Sequence, residues 1–497
     1  MKRTLSAALA AQTVLLALLA SACGDSANTP SAGEDSTPTG ETAAVTEAVT
    51  EDILGYLPET DMGGWQFDVL GHEDHLSGNH TFHATEQTGE IINDEIFERT
   101  RRIEERYNMV YNVIAEDADN NWYAVRDRLE QTTAAGEDLY DLVIFYTYAM
   151  QSAIITGGYF YNMLEVPHIN FENPWWHTEI NDAYTHFDYL PCVLSDYSVN
   201  SYQYANLLAF NKTVAANNDI TNLYDLVRDH KWTMDSFLEI VKSVNSDSNG
   251  DGKMDVNDTW GYATNFGYHA LTWAYAIGEM GVTLTDDGVE LGYRSEKFAT
   301  LSEWLYDLLY TSKLAFEIGW DLPCDISWDE NRVLIQAIWL NDLEKFREYE
   351  SAYGLLPYPM YDETQEKYYT YDDCRHATFG IPLTSPTENI EKTGLLLEAL
   401  SADSYHNLIP KYLDSVVTFK LSRDEDSLEM LDYIMDGRVY DIGYAMPDAK
   451  RYSWIISEQL KNSKGAITST IEKFTKVATS HYEKLLESYK TMGEMEW

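Results

Sequence analysis

Between Trp65 and Phe145 the chain alternates strand-like and helix-like stretches, and no other feature limits its fold as strongly. Trp65-Gln66-Phe67-Asp68-Val69-Leu70 reads as a strand, and Met109 to Ala115 and Asp141 to Phe145 read as two more. Ile92, Ile96, Ile103 and Tyr107 fall on one face of a helix, and Trp122 to Ala134 reads as a second helix. Strands that alternate with helices in this order build a parallel sheet covered by helices, an α/β architecture. No period of about 20–50 residues repeats. At the far end Ile467, Ile471, Phe474, Ala478, Tyr482, Leu485 and Tyr489 form one helical face, which predicts a long helix packed on the body; a coiled coil with a partner is the lesser reading.

The chain has 497 residues with 34 Lys+Arg against 82 Asp+Glu, a formal net charge of −48. That length fits about three domains, or a two-lobed body with extras. A surface so acidic repels phosphate backbones and anionic headgroups, which argues against nucleic acid and against a polybasic membrane contact. It suits a soluble body outside the cell with a neutral or cationic ligand. After the N-terminus no stretch of about 20 apolar residues occurs.

Residues 1–22 begin with Lys2 and Arg3, continue through the apolar run Ala7 to Leu19, and end in Ala20-Ser21-Ala22 before Cys23. This is a signal peptide, and the Cys after small residues resembles a bacterial lipobox, with Ala20 where Leu is usual. Cys23 is then the lipidated first residue of the mature protein. From there to residue 57 Ser, Thr, Pro, Ala, Gly and acids predominate, a composition that cannot bury enough apolar area to order itself. A tether of about 35 such residues reaches about 30–35 Å. Arg99 is the first basic residue after Arg3, so the anchored end is purely acidic. Beyond the anchor only Cys192, Cys324 and Cys374 remain, enough for one bridge at most and no disulfide framework.

The sharpest local motif is Asp247-Ser-Asn249-Gly-Asp251-Gly252-Lys253-Met-Asp255-Val-Asn-Asp258. Oxygen-bearing side chains at alternate positions wrap a hard cation, Gly252 permits the sharp turn, and the Lys253 carbonyl supplies a further ligand. The pattern predicts Ca²⁺ as a structural clip, with Asp rather than Glu at the last position as in dockerin-like loops. The competing reading is an acidic, solvated, Gly-rich loop. His72, His75, His80 and His83 crowd together with Glu73, Asp74 and Glu86, but the string H-E-D-H is not H-E-x-x-H, and a loop at a ligand mouth is the commoner explanation than a metal site. No phosphate-binding P-loop, G-x-S-x-G or post-strand G-x-G-x-x-G occurs. With 36 Tyr and 13 Trp the chain has many ring faces that can stack on sugars, though most such rings are core.

In order and spacing, a set of short segments resembles the extracellular solute-binding lipoproteins (family 1 type) of carbohydrate ABC transporters. The segments are Tyr140-Asp-Leu-Val143, Pro174-Trp-Trp176, Phe210-Asn-Lys212, Leu223-Tyr-Asp-Leu-Val227, Lys231-Trp-Thr233, Trp260-Gly-Tyr262, Gly354-Leu-Leu-Pro-Tyr-Pro359 with Gln365, and Phe379-Gly-Ile-Pro382. The likeness covers nearly all of the chain after the tether. It implies the two-lobed type 2 periplasmic-binding-protein fold, the "Venus flytrap", closing on ligand by a hinge. Lobe one would hold 58–200 and 368–405, and lobe two 201–367 and 406–497 with the C-terminal helices.

Carried over position by position, the resemblance places His72, Glu73 and Asp74 at the first strand's exit among polar sugar contacts. Tyr146 and Tyr148 follow the strand that ends at Phe145. The chain would cross between the lobes near Ser198–Ala205 and near Tyr368–Thr378, and Tyr204 stands at the first crossing, where relatives often have a carboxylate. Trp339 matches a sugar-stacking Trp, and Trp273 aligns loosely after the calcium-like loop. The resemblance implies a membrane-anchored extracytoplasmic binding protein, a monomer, that captures a carbohydrate, an oligosaccharide by preference, and delivers it to ABC permease subunits without chemistry on the ligand. The membrane is touched only through the lipid. A peptide or other polar solute as ligand, a surface glycan-degrading enzyme, and a metal-capture lipoprotein built on His72–His83 are the alternatives.

Overall fold

The computed structural model describes residues 52–73, 82–117, 121, 123–147, 157–318, 328, 330–346, 349–373, 376–421 and 424–497. The signal peptide, Cys23 and nearly all of the tether lie outside the described residues, as do Asp74, His75, His80, Trp122, Tyr148, Cys324 and Cys374. Residues 1–56 and 57–497 form separate units; in the first, a turn closes from the Gly55 amide to the Asp52 carbonyl. Among the described residues no helix is long and apolar enough to cross a membrane.

Among the described residues the second unit carries two large sheets and two short two-stranded pairs. The elements that position the site are, in chain order, β1 (Trp65–Glu73), α1 (Ile91–Tyr107), β2 (Met109–Asp117), α2 (Ala124–Ala135), β3 (Leu142–Tyr146), β4 (Asn206–Asn211), β5 (Trp260–Thr264), α3 (Phe266–Ala276), β6 (Ala315–Glu317), β7 (Val333–Trp339), β8 (Tyr353–Leu356), β9 (Thr370–Tyr371), β10 (Ala377–Gly380), β11 (Arg438–Val439) and the helix α4 (Thr468–Gly493). The three strands expected between Trp65 and Phe145 are therefore present, and β1 runs on past Leu70 to Glu73.

The first sheet has the order β10-β3-β1-β2. β1 runs parallel to both β2 and β3, and the returning β10 adds antiparallel to β3. β3 (LVIFY) is buried along its whole length, as expected of a strand covered on both faces. α1 starts at Glu90, whose carboxylate accepts from the Asn93 amide, and stops at Asn108 in the left-handed region (φ 48°). It buries Ile96, Ile103 and Tyr107 but also the charged Glu95 and Arg99. Arg102 answers part of that charge, reaching Glu95 at 2.6 Å and Asp403 at 2.5 Å.

The second sheet has the order β8-β4-β7-β5-β6. β4 pairs antiparallel with β8 and β7, while β5 runs parallel to β7 and β6. α3 follows β5 directly and is closely packed, with Leu271, Trp273, Ala274 and Tyr275 all buried. The chain passes between the two sheets after β3 and again after β9, and short β9 lies parallel to β11.

α4 buries Ile471, Ala478, Tyr482, Leu485 and Tyr489, with Phe474 only half-buried. Its middle is tied by the Tyr482 hydroxyl to the Gly443 carbonyl at 3.1 Å. Its end reaches the first sheet's surroundings: Tyr489 meets the ring of Tyr189, and the terminal Trp497 stacks on the same ring at 5.6 Å. Tyr189 in turn donates to the Phe160 carbonyl, and Phe160 bridges to Pro382 just beyond β10. One face of this helix packs on the core from Ile471 to Met492.

Candidate ligand-binding site

Parallel strands deliver their C-terminal ends to one edge of a sheet, and ligands of open α/β sheets gather there. Here the register sets Leu70 beside Val143, which brings the exits of β1 and β3 together. His72 and Glu73 end β1, and Tyr146 ends β3. The His72 imidazole stacks on the Tyr146 ring, with centroids 5.0 Å apart and 30° between the planes. Ala377, the first residue of the returning β10, lies opposite Tyr146. Phe82 closes over this edge against Gly71, where any Cβ would come within 2.7 Å of its ring.

These residues line a recess: His72, Phe82, Ile144, Phe145, Tyr146, Asn200 and Ala377. The recess is partly open to solvent and its volume is about 20 Å³, room for little more than one water. His72 is 7% exposed, and among the described residues neither of its ring nitrogens has a hydrogen-bond partner. Burial lowers the imidazole's pKa to about 4, so it is neutral at physiological pH.

On the second sheet the matching edge is the end of β7. Its residues are buried except the last, Trp339, which is half-buried. Tyr204 at the first crossing is buried and presents its ring edge to Trp339 at 6.4 Å. His269 of α3 lies 4.8 Å from the same indole. Asn206, opposite Trp339 in the β4–β7 pair, ties these parts together. Its Oδ1 accepts from the Thr272 hydroxyl at 3.0 Å and lies 2.9 Å from His269 Nδ1, while its amide donates to the Tyr371 carbonyl at 3.1 Å.

Tyr146 with His72, and Tyr204 with Trp339, therefore form two aromatic groups, one on each sheet's edge. The turn Asn200–Gln203 between them supplies Asn200 to the first recess and leads directly into Tyr204. Trp273 is not part of either group. It is 1% exposed, donates to the Tyr262 hydroxyl at 3.3 Å, and packs against Phe237, Trp304 and Tyr358 as core.

The two crossings are bonded to each other. Ala205 and Asp372 form an antiparallel bridge, and the Asp373 amide donates to the Tyr204 carbonyl at 3.2 Å. Arg438 from β11 donates to the Ser201 carbonyl at 2.8 Å and approaches Asp372 Oδ2 at 3.4 Å, where the Tyr440 hydroxyl also donates. Beside them the Tyr202 hydroxyl and His177 both contact Asp196. Burial drives the Asp372 carboxyl up to about 7 despite Arg438, and pulls the neighbouring His376 down to about 3. Sequence reading missed Asn206, Asp372 and Arg438, which carry no motif; a polar residue opening the apolar run Asn206-Leu-Leu-Ala-Phe210 was the one available hint.

In the calcium-like loop, Gly250 and Gly252 take φ of 74° and 79°, conformations that suit glycine. Asp247 accepts from the amides of both, Asn249 from Asp251, Asp251 from Lys253, and Asp258 from Ser248 and Asp255. The loop thus folds its oxygens inward onto its own amides. Among the described residues no three His, Cys, Asp or Glu side chains stand in metal-holding geometry. Of the histidine cluster, His83 stacks on Tyr111 at 5.4 Å.

No protein-family profile and no curated protein matches the sequence. Solved structures do match in shape. The maltose/maltodextrin-binding domain from Bdellovibrio bacteriovorus bound to maltotriose is 12% identical with a TM-score of 0.50, over 86% of this chain and 98% of that one. An ABC transporter solute-binding protein from Thermotoga lettingae bound with α-D-tagatose is 15% identical at 0.51, over 85% and 100%. An ABC substrate-binding protein from Listeria monocytogenes in complex with cycloalternan is 14% identical at 0.51, over 87% and 98%. At such identities the likeness speaks for architecture: the chain has the two-lobed α/β fold of the periplasmic solute-binding proteins.

Proposed function

We propose that the protein captures a carbohydrate between its lobes and delivers it to an ABC permease, acting as a binding protein and not as an enzyme. One observation carries this reading. The edges of the two sheets each present an aromatic group, His72–Tyr146 and Tyr204–Trp339, on either side of chain crossings that are themselves hydrogen-bonded together. Ring faces give apolar contact to the C–H face of a sugar, and polar neighbours bond its hydroxyls. The similar structures named above hold maltotriose, tagatose and cycloalternan, which is in keeping with a sugar in this cleft.

The rest of the reading follows from it. Glu73, Asp74 and Tyr148 would extend the site from the strand exits. The lobes would divide at residues 200 and 367, with return at 405. Cys23 would carry the lipid that holds a monomeric body on the extracytoplasmic face of a bacterial membrane. Asp247, Asn249, Asp251, the Lys253 carbonyl, Asp255 and Asp258 would take Ca²⁺ as a structural clip, since hard oxygens on an inward-folded loop suit that ion. The test is a thermal-shift screen of the mature body against neutral and charged glycans and peptides. A rise with one glycan class, and that glycan recovered intact after hours, supports capture; a rise only with peptides, or release of glycan fragments, overturns it.

A further inference from the structure

One helix is seated on the surroundings of both large sheets. α4 has 26 residues, a length of about 39 Å at 1.5 Å per residue. Up to Tyr482 it belongs with the second sheet. Thr475 accepts from Arg294 at 2.8 Å, and the Tyr482 hydroxyl donates to the Gly443 carbonyl at 3.1 Å. The Gly443 amide donates to Asp441, which also accepts from the hydroxyl of Tyr275 on α3, the helix that follows β5.

The end of α4 belongs with the first sheet. Tyr489 packs edge-on against His186 at 5.1 Å and Tyr189 at 5.9 Å, and Trp497 stacks on Tyr189 at 5.6 Å. Tyr189 donates to the Phe160 carbonyl at 3.1 Å, and the Phe160 ring stacks on Phe145 of β3 at 5.4 Å. The approach is close enough to need glycine on both sides. A Cβ on Gly493 would collide with the Phe187 carbonyl oxygen, and one on Gly158 would collide with the Met492 sulfur.

The turn that receives this helix end is strained. His186 and Tyr189 exchange backbone hydrogen bonds of 3.2 and 3.0 Å, so Phe187 and Asp188 are the two central residues of a tight turn. Both lie in the left-handed region, with φ of 52° and 56°. Two-residue hairpin turns ask for positive φ at these places and favour Asn-Gly there. A bulky aromatic residue in that region is unfavourable and persists only where its surroundings hold it. Here Gly493 presses on the middle of the turn, while the Tyr489 and Trp497 rings cover its flanks at His186 and Tyr189.

We infer that the end of α4 is a latch, a third tie between the lobes beside the two crossings, seated on the strained turn at Phe187 and Asp188 and obliged to let go when the lobes swing. A body held at its crossings and at one further point turns about the crossings only if that point releases. With Tyr489, Gly493 and Trp497 seated, the swing is restrained; once they lift, the turn relaxes and the lobes move freely. The latch acts whatever the ligand is, so it does not rest on the carbohydrate reading.

Amide exchange read by mass spectrometry on the mature body, with no ligand added, tests it. Gly493→Ala sets a methyl group against the Phe187 carbonyl and lifts the helix end, and Trp497→Ala removes the stack on Tyr189. Each variant is expected to exchange about tenfold faster than wild type at the crossings, 198–205 and 368–373, as well as at 186–189, because the crossings absorb the freed rotation. Small-angle scattering should show a broader distribution of interatomic distances in both variants. Faster exchange confined to 157–162, 186–190 and 485–497, with the crossings as in wild type, overturns the latch and leaves α4 as a packed helix. Unchanged exchange throughout overturns it equally. Trp497 is half-buried and lies beyond the helix, so its variant decides should Gly493→Ala fail to fold.

Discussion

Arg438 and Asp372 meet beside the two crossings between the sheets, guanidinium to carboxylate at 3.4 Å, with Asp372 fully buried and Arg438 nearly so. The guanidinium also bonds the Ser201 carbonyl, so one side chain touches the first crossing, the second crossing and its own strand β11. Removing one member of a buried pair strands the other charge, at about 3–5 kcal/mol. Arg438→Met should therefore lower stability by about that much at pH 8 in denaturant unfolding. A loss below about 0.5 kcal/mol would show that the pair contributes nothing net.

Asp372 also predicts a pH dependence. Burial raises its carboxyl to about 7 from an unfolded value near 3.8. The folded protein therefore holds a proton that the unfolded chain has released between those values. Its stabilising contribution is full below about pH 4 and is lost as pH rises towards 7, by at most about 1.4 kcal/mol per pH unit. Asp372→Asn should remove this slope. The quantity to compare is the difference in unfolding free energy between variant and wild type from about pH 4.5 to 7.5, since other carboxylates set the common background. A flat difference would refute the assignment.

Asn206 joins β4, α3 and the second crossing through three side-chain contacts. Asn206→Ala leaves the Thr272 hydroxyl and His269 Nδ1 without that acceptor and the Tyr371 carbonyl without that donor. A loss of about 1–3 kcal/mol is expected. Faster amide exchange should appear around Tyr371 and in the first turn of α3, and exchange confined elsewhere would count against Asn206 as the joint between them.

Much of the fold was legible because its strands announce themselves locally. Trp65–Leu70, Met109–Ala115 and Asp141–Phe145 are apolar runs of strand length separated by helical spacing, and the observed strands overlap all three. The exits of parallel strands are then readable as a ligand edge, and His72, Glu73 and Tyr146 stand there. The junction was not readable. Asn206 and Tyr371 are 165 residues apart, and Arg438 and Asp372 are 66 apart, so nothing local marks either pair. α1 hid its charges for a related reason: Glu95 and Arg99 sit beside its apolar positions and are buried only because Asp403, Lys411 and backbone carbonyls arrive from far along the chain. Trp273 and Trp339 look alike as residues; the packing of Phe237, Trp304 and Tyr358 decides that one is core.

The calcium-like loop is tested by adding the ion. Mature protein stripped with EDTA should melt several degrees higher in about 1 mM CaCl₂ than in the same concentration of MgCl₂, because Mg²⁺ keeps its water and demands a tighter octahedron (about 2.0–2.1 Å). Asp247→Ala should abolish the calcium response. It should also lower the metal-free melting point a little, since Asp247 caps the Gly250 and Gly252 amides. Equal melting in both salts would leave the loop as a solvated turn held by its own side chains.

The two tryptophans offer the cleanest separation of site from scaffold. Trp273 is enclosed by Phe237, Tyr262, Trp304 and Tyr358, so Trp273→Ala opens a cavity in the core and should cost about 3–5 kcal/mol. Trp339 is the half-buried last residue of its strand, edge-on to Tyr204, and its backbone amide is held by Asp342 at 3.0 Å whatever the side chain. Trp339→Ala should therefore spare most of the stability. If the indole stacks on a sugar ring, its loss weakens binding of the sugar found in the thermal-shift screen about tenfold, near 1.4 kcal/mol. Trp339→Phe keeps a ring face and should recover part of that loss. A Trp339→Ala protein that unfolds as readily as Trp273→Ala, or that binds the sugar as wild type does, would remove Trp339 from the site and leave the His72–Tyr146 edge to hold the ligand.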